Sequence, residues 1–275
     1  MARETFTDAG GLRVRHLEEG SGPAALLLHG ASLGSSADVW TQNLGDLAAC
    51  GFRAIAPDLP GFGLTDNPQD HSVGFRTKFV PLFLDALGLE RAHVVGHSQS
   101  GRIAVGLALR SRDRVGKIVV VGTASMLPPL EDAPTGDDAE GDEGGALEPT
   151  IEETRRMLEA SLFNRALATA QAVELRQRMS VGKNFQAFLA RKAAKREKKG
   201  ADGKPMWQRL AEVPVPIRLI YGKQDRSAEK RVAAAKELDP ALDIHLVDRC
   251  GHLVQWDARE RFAELAGSFL AAQGA

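Results

Sequence analysis

The stretch "AHVVGHSQSGRIAVGLAL", residues 92–109, runs from an apolar segment through two serines into a helical pattern. The fold turns on how it is read. A nucleophile at a sharp strand-to-helix turn needs small residues two positions before and two after it, because the turn presses backbone against backbone. Centred on Ser98, those positions hold Gly96 and Ser100, with Gly101 next; centred on Ser100, they hold Ser98 and the bulky Arg102. Ser98 is therefore the candidate nucleophile, and Ser100 the small residue that lets the helix approach the strand. A glycine-rich turn could also seat a phosphate at a helix N-terminus, but no lysine stands where a phosphate-binding loop needs one.

Outward from this turn, short apolar runs recur at 24–30, 52–58, 92–98, 117–123, 217–222 and 244–248, as expected of strands buried on both faces. Helical patterns lie between them at 73–89, 100–112 and 258–272. The alternation predicts an α/β fold with a mostly parallel, doubly wound sheet. The opening "ETFTDAGGLRVRHLEEG" (4–20) predicts an antiparallel hairpin at the sheet edge.

The rhythm lapses over 127–213. The acidic, Gly-rich "EDAPTGDDAEGDEGGALEP" (131–149) is expected to be a flexible loop. Helical patterns follow at 150–163 and on to about Ala193, ending in the basic "RKAAKREKKGADGK" (191–204). The expected division is a core of 1–126 and 214–275 with a helical cap, 127–213, inserted between two strands. Both charge runs are expected to be solvated surface, with docking of one on the other as the alternative.

A serine hydroxyl needs a base oriented by a third group. Asp225 in "YGKQDRSAEK" (221–230) and His252 in "DRCGHLVQWD" (248–257) each follow a proposed strand, which sets all three residues at the same sheet edge. "LLLHGASLG" (26–34) follows the first buried strand, and the backbone N–H groups of Ala31 and Gln99 are the candidate oxyanion donors. His29, in the HG turn, is expected to brace that loop rather than act as a base.

With 43% hydrophobic and 26% charged residues among 275, the composition is that of a globular enzyme. A net charge of −1 gives no field to recruit nucleic acid or an anionic membrane, which leaves a small molecule as the expected partner and is compatible with a homo-oligomer. "MARETFTDAGG" lacks the apolar core of a secretory signal and no run reaches membrane-spanning length, so a cytoplasmic protein is expected. Cys50 and Cys250 have no metal-ligand spacing and are expected to be reduced thiols, with no metal site.

Taken together, HG (29–30), "APDLPGFGLTD" (56–66), GHSQSG (96–101), "YGKQD" (221–225) and "RCGHLVQWD" (249–257) resemble the α/β-hydrolase superfamily. Within it, "HGASLGSSADVW", "DLPGFGLTD" and "CGHLVQW" look most like the meta-cleavage-product hydrolases. The resemblance implies an α/β-hydrolase fold, a helical cap, no cofactor, and hydrolysis of a carbon–carbon bond in a 2-hydroxy-6-oxo-dienoate. It also implies a cap arginine on the substrate carboxylate, for which Arg178 is the choice and Arg176 the alternate. Gln42, His97, Leu253 and Trp256 complete the implied substrate-binding set. The family usually carries Asn at 97, Met at 99, Trp at 253 and Asn at 42, so this chain departs from it around the substrate. A carboxylesterase or lactonase, and a noncatalytic small-molecule receptor, stay open beside the C–C hydrolase.

Overall fold

Gly10 and Gly11 both take positive φ, 56° and 77°, as a two-residue hairpin turn matched to strand twist demands. They join β1 (Arg3–Ala9) to β2 (Leu12–Glu19), the expected antiparallel hairpin. The computed structural model describes residues 2–130, 147–197 and 204–272, without the side chains of 194–197. From β2 the chain continues through β3 (Ala24–Leu28), α1 (Thr41–Ala49), β4 (Arg53–Pro57), α2 (Val73–Ala86), β5 (Ala92–His97), α3 (Ser100–Arg110) and β6 (Val115–Val121). After α4 (Ile151–Ala160), α5 (Ala170–Arg178) and α6 (Lys183–Glu197) it returns as β7 (Ile217–Gly222), α7 (Ala228–Leu238), β8 (Ile244–Val247), α8 (Val254–Asp257) and α9 (Arg259–Ala271).

The strands form one eight-stranded sheet in the order β1-β2-β4-β3-β5-β6-β7-β8. β2 is antiparallel to β1 and β4, and every later pairing is parallel. Successive side chains of a strand point to opposite faces, and here both faces are covered. Leu26, Leu28, Val94 and Val120 pack with Phe79 and Phe83 of α2 and Ile103 and Leu107 of α3. Leu27, Val95, Val119 and Val121 pack with Trp40, Leu44 of α1 and Phe262 and Leu265 of α9. Burial on two sides is why the strands read as unbroken apolar runs rather than as alternations.

Between β6 and β7 the chain leaves the sheet. Met126 and Leu127 at the start of this excursion, and Leu210 and Val213 at its end, pack into the core. Its helices begin on defined caps: Thr150 and Glu153 form a reciprocal capping box on α4, and Thr169 accepts from the Ala172 N–H on α5. Leu158, Leu162, Ala168 and Val173 bury against Leu253, which follows β8, while Phe185 and Phe188 bury against Leu33, which follows β3. The three helices thus lie over the carboxyl ends of the strands.

The structure differs from the sequence expectation in four places. α1 was not anticipated, although Trp40, Leu44 and Leu47 recur at helical spacing. The helical pattern through Ala193 is two helices, α5 ending at Arg178 and α6 starting at Lys183, with Gly182 at a φ of 60° in the turn between them. Residues 131–146 of the expected flexible loop lie outside the described residues, but its end is docked: Gln177 Nε2 donates to the Pro149 carbonyl at 2.7 Å, and the Gly182 N–H to Glu148 Oε1 at 2.7 Å. The basic run, of which 198–203 lie outside the described residues, starts with an arginine that is not solvated. Arg191 donates to the Gly61 carbonyl at 2.8 Å and stacks 3.9 Å over Phe62. No described helix is long and apolar enough to cross a membrane.

Candidate active site

Ser98 sits between β5 and α3 with φ of 54°, a left-handed conformation that a non-glycine residue adopts at a cost and only where its surroundings hold it. Its N–H donates to the Val121 carbonyl at 2.8 Å. A Cβ on Gly96 would lie 2.5 Å from the Ser100 carbonyl oxygen, so the helix start presses directly on the strand. Ser100 is buried, and its hydroxyl donates to the His29 carbonyl, tying the elbow to the loop after β3.

Asp225, three residues past the end of β7, accepts from His252 Nδ1 at 2.8 Å. A carboxylate accepts only, so Nδ1 bears the hydrogen and the imidazole lone pair falls on Nε2. Burial would raise the Asp225 carboxyl, but the charge and hydrogen bond of His252 outweigh it and hold the group below its ordinary value. Ala31, Ser98, Gln99, Asp225 and His252 line one cavity of about 350 Å3 at the carboxyl edge of the sheet.

His252 also lines a second cavity of about 310 Å3, together with Gln42, His97, Leu253, Trp256 and Arg176. The expected substrate-facing residues therefore converge there, with one correction. Arg178 is exposed at the end of α5 and lines neither cavity, whereas Arg176 lines this one and donates to Ser32 Oγ at 2.9 Å. Residues two apart on a helix point about 200° away from each other, so both cannot face the site. Trp256 Nε1 donates to the Val39 carbonyl at 2.7 Å, and the Gln42 carbonyl accepts from Arg259 at 3.2 Å, which fixes this wall. His97 Nε2 donates to the His252 carbonyl at 3.1 Å, and the two rings lie 4.8 Å apart. Burial, helped by the nearby His252, pushes His97 down to about 3, so it stays neutral beside the histidine it supports.

Two holding devices around these cavities, built on Asp58 and Asp257, have no counterpart in the sequence reading. Asp58, fully buried, accepts from the Ala37 N–H at 2.6 Å and the Leu64 N–H at 2.8 Å and pairs with Arg15 at 3.2 Å. Arg15 also pairs with Asp38 and Glu4, whose charges overcome its desolvation and keep it protonated. His29 braces the same loop, as expected: Nε2 accepts from the Leu59 N–H at 3.0 Å and Nδ1 donates to the Gly30 carbonyl at 2.6 Å. On the other side, Asp257 accepts from the N–H groups of Gly251, Phe163 and Asn164 at 2.8, 2.9 and 2.9 Å, and the Leu253 N–H donates to the Ser161 carbonyl at 3.1 Å. Asp58 and Asp257 are visible in sequence only as polar residues near Gly-rich turns. That signal marks a turn without saying what it binds.

A larger hollow, about 650 Å3, lies at the opposite edge beside His93 and Lys117. Ligands of open α/β sheets bind outside the carboxyl ends of strands, and this hollow holds no part of the Ser98, Asp225 and His252 set.

A nearly parallel eight-stranded sheet, a serine elbow and a paired Asp–His at one edge define an α/β-fold hydrolase. The sequence signature of the alpha/beta hydrolase family matches residues 25–265, and the chain belongs to that family. It is 31% identical to the 2-hydroxymuconate semialdehyde hydrolase of Pseudomonas sp. (strain CF600), across 96% of this chain and 92% of the relative. It is 30% identical to the 2-hydroxy-6-oxononadienedioate/2-hydroxy-6-oxononatrienedioate hydrolase of Burkholderia vietnamiensis, across 94% and 91%. Among solved structures, the meta-cleavage product hydrolase of Pseudomonas fluorescens matches with a TM-score of 0.78 and 27% identity over 96% of each chain.

Proposed function

We propose that this hydrolase cleaves the carbon–carbon bond of a 2-hydroxy-6-oxo-dienoate, the kind of compound formed when an aromatic ring is opened beside its hydroxyl groups. The observation that carries this reading is the meeting of two cavities at His252, one holding Ser98 and the other holding Arg176. Ser98 attacks the 6-oxo carbonyl, or orients the water that does; His252 takes the proton; Asp225 holds the imidazole and stabilises its cation. The N–H groups of Ala31 and Gln99 receive the oxyanion, each such donor contributing about 3 to 4 kcal/mol to the barrier reduction. Arg176 grips the carboxylate of the dienoate arm with two parallel bonds, and Leu253 and Trp256 wall that arm. The arm leaves with the electron pair of the broken bond and is protonated on carbon. The acyl half departs as a carboxylic acid once water has added.

In this reading residues 127–213 form a cap that closes both cavities over a small-molecule substrate, with no cofactor. A cytoplasmic location fits the two free thiols, Cys50 and Cys250. A carboxylesterase or lactonase is the second reading, favoured by Leu253 and His97, where the resembled family carries Trp and Asn.

The wild type is expected to bleach the visible absorbance of a 2-hydroxy-6-oxo-dienoate, and Ser98→Ala to slow that turnover by about 10⁴-fold or more while remaining folded by circular dichroism. Brisk cleavage of aryl esters without bleaching would replace the first reading by the second.

A further inference from the structure

The backbone N–H groups of Ala31 and Gln99 donate to nothing among the described residues, and both residues line the Ser98 cavity. The Gln99 N–H belongs to the peptide that joins Ser98 to Gln99. That peptide is planar and trans, so its carbonyl, on Ser98, points the opposite way. A group that grips the Ser98 carbonyl from behind therefore aims the Gln99 N–H in front. Two groups do so, the Thr123 hydroxyl and the Gly101 N–H, the latter at 3.1 Å, and between them they use both lone pairs of the oxygen.

Thr123 is fully buried just past β6, and it is held in turn. Its carbonyl accepts from the Tyr221 hydroxyl at 2.8 Å and from the Met126 N–H at 3.1 Å. Tyr221, the only tyrosine of the chain, is buried in β7, the strand that leads to Asp225. A Cβ on Gly101 would overlap the Thr123 hydroxyl, so glycine at that position is what lets the hydroxyl reach the elbow.

The torsions of Ser98 show why the tie matters. Its φ is 54° and its own N–H is committed to the Val121 carbonyl at 2.8 Å. The soft torsion that remains is ψ, and turning it swings the next peptide with its N–H. The Gln99 side chain is anchored separately, since its Oε1 accepts from the buried Arg76 Nη2 at 2.7 Å. Loss of the Thr123 hydroxyl therefore leaves Gln99 anchored while its peptide gains freedom to turn.

We propose that Thr123 is a positioning residue for the oxyanion hole: its hydroxyl, set by Tyr221, holds the Ser98 carbonyl and so aims the Gln99 N–H at the oxyanion. The inference rests on the proposed roles of Ser98 and of the Gln99 N–H, and not on which bond is cleaved.

The test uses Thr123→Val, which keeps the shape and removes the donor, and Thr123→Ser, which keeps the donor and removes the methyl. The substrate is whichever of a 2-hydroxy-6-oxo-dienoate and a short neutral aryl ester the wild type turns over faster. An oxyanion donor is worth about 10²- to 10³-fold in kcat, and a donor turned aside forfeits part of that. Thr123→Val is expected to lower kcat by about tenfold or more with KM within about twofold of the wild type, the split of an interaction made in the transition state. A trifluoromethyl ketone reads the hole itself: Ser98 Oγ adds to its carbonyl carbon, His252 takes the hydroxyl proton, and the ketone oxygen becomes the oxyanion. Its inhibition constant is expected to rise by about the factor lost from kcat. Thr123→Ser is expected to bring both back to within about threefold of the wild type, a rescue that packing of the threonine methyl would not give. A kcat for Thr123→Val within about threefold of the wild type, an unmoved inhibition constant, or a Thr123→Ser as slow as Thr123→Val overturns the proposal. If Thr123→Val proves unfolded by circular dichroism, Thr123→Ala is held to the same criteria. Failure of the underlying reading is seen separately, as a Ser98→Ala variant that keeps the wild-type rate.

Discussion

Asp58 and Asp257 both fasten a loop at the carboxyl edge of the sheet, one on each side of Ser98, yet in opposite electrostatic settings. Asp58 is fully buried, and although Arg15 lies beside it, burial raises its carboxyl above the ordinary value. It holds the loop after β3 to the loop after β4, both parts of the core. Asp257 is half-buried, has no cation partner among the described residues, and is satisfied by three backbone N–H groups, two of them from the inserted segment. The loop after β3 is thus clamped by the core alone, and the His252 loop by core and insert jointly. Damage to the first clamp should register as lost stability, and damage to the second as lost activity.

The largest expected effect follows from the first clamp. Asp58→Asn places an amide N–H₂ against a backbone N–H and removes one charge from Arg15. The expected cost is about 3 kcal/mol of unfolding free energy, read from urea denaturation. A loss below about 1 kcal/mol would show that the Arg15 network does not carry this loop.

Arg176→Ala should lower kcat/KM on a dienoate by about 100-fold while changing a short neutral aryl ester less than about tenfold. Arg178→Ala should change neither by more than about threefold, as expected of an exposed helix arginine. Equal losses for the two substrates in Arg176→Ala would make that arginine a tie to Ser32 and nothing more.

The two loops also share a pH signature. Burial pushes both His29 and His97 down to about 3, while the unfolded imidazoles titrate near 6.5. Between those values the unfolded chain binds more protons, so stability is full above about 6.5 and falls as the pH drops toward 3. At pH 5 each imidazole accounts for about 2 kcal/mol of that loss. His93, His16 and His71, also pushed down by burial, add to the same decline, so His97→Asn should remove its own contribution and make the fall of Tm from pH 7 to 5 less steep. An unchanged slope would mean that His97 is charged in the fold.

The smallest expected effect tests the second clamp. Asp257→Asn should lower kcat about tenfold on every substrate, through a displaced His252, with little change in Tm. A selective loss on one substrate would instead place Asp257 in recognition.

The sheet was readable because β3, β5 and β6 are buried on both faces, and no other arrangement accounts for runs such as "KIVVVGT" (117–123) beside helical periods. Ser98 was readable for a similar reason, since steric crowding at the elbow leaves its mark as Gly96 and Ser100. The choice between Arg176 and Arg178 was not, because both lie in the last turn of α5 and only the packing of that helix on Gly34 decides which faces inward. The Asp58 and Asp257 clamps were hidden for another reason. Most of their partners are backbone N–H groups, which every residue but proline carries and no sequence pattern marks.

The join between residues 161–164 and the His252 loop bears on how molecules pass in and out. A Cβ on Gly251 would lie within about 3 Å of the backbone of Ser161 and Phe163, so the two segments are in direct contact as well as hydrogen-bonded. A swing of the whole insert about the sheet edge would carry the imidazole with it. An opening on the far side, where α5 and α6 meet the loops after β3 and β4 through side-chain ties from Arg176, Lys183 and Arg191, would instead leave His252 in register. Loading or emptying the site by that route would leave the hydrogen bond between His252 and Asp225 in place.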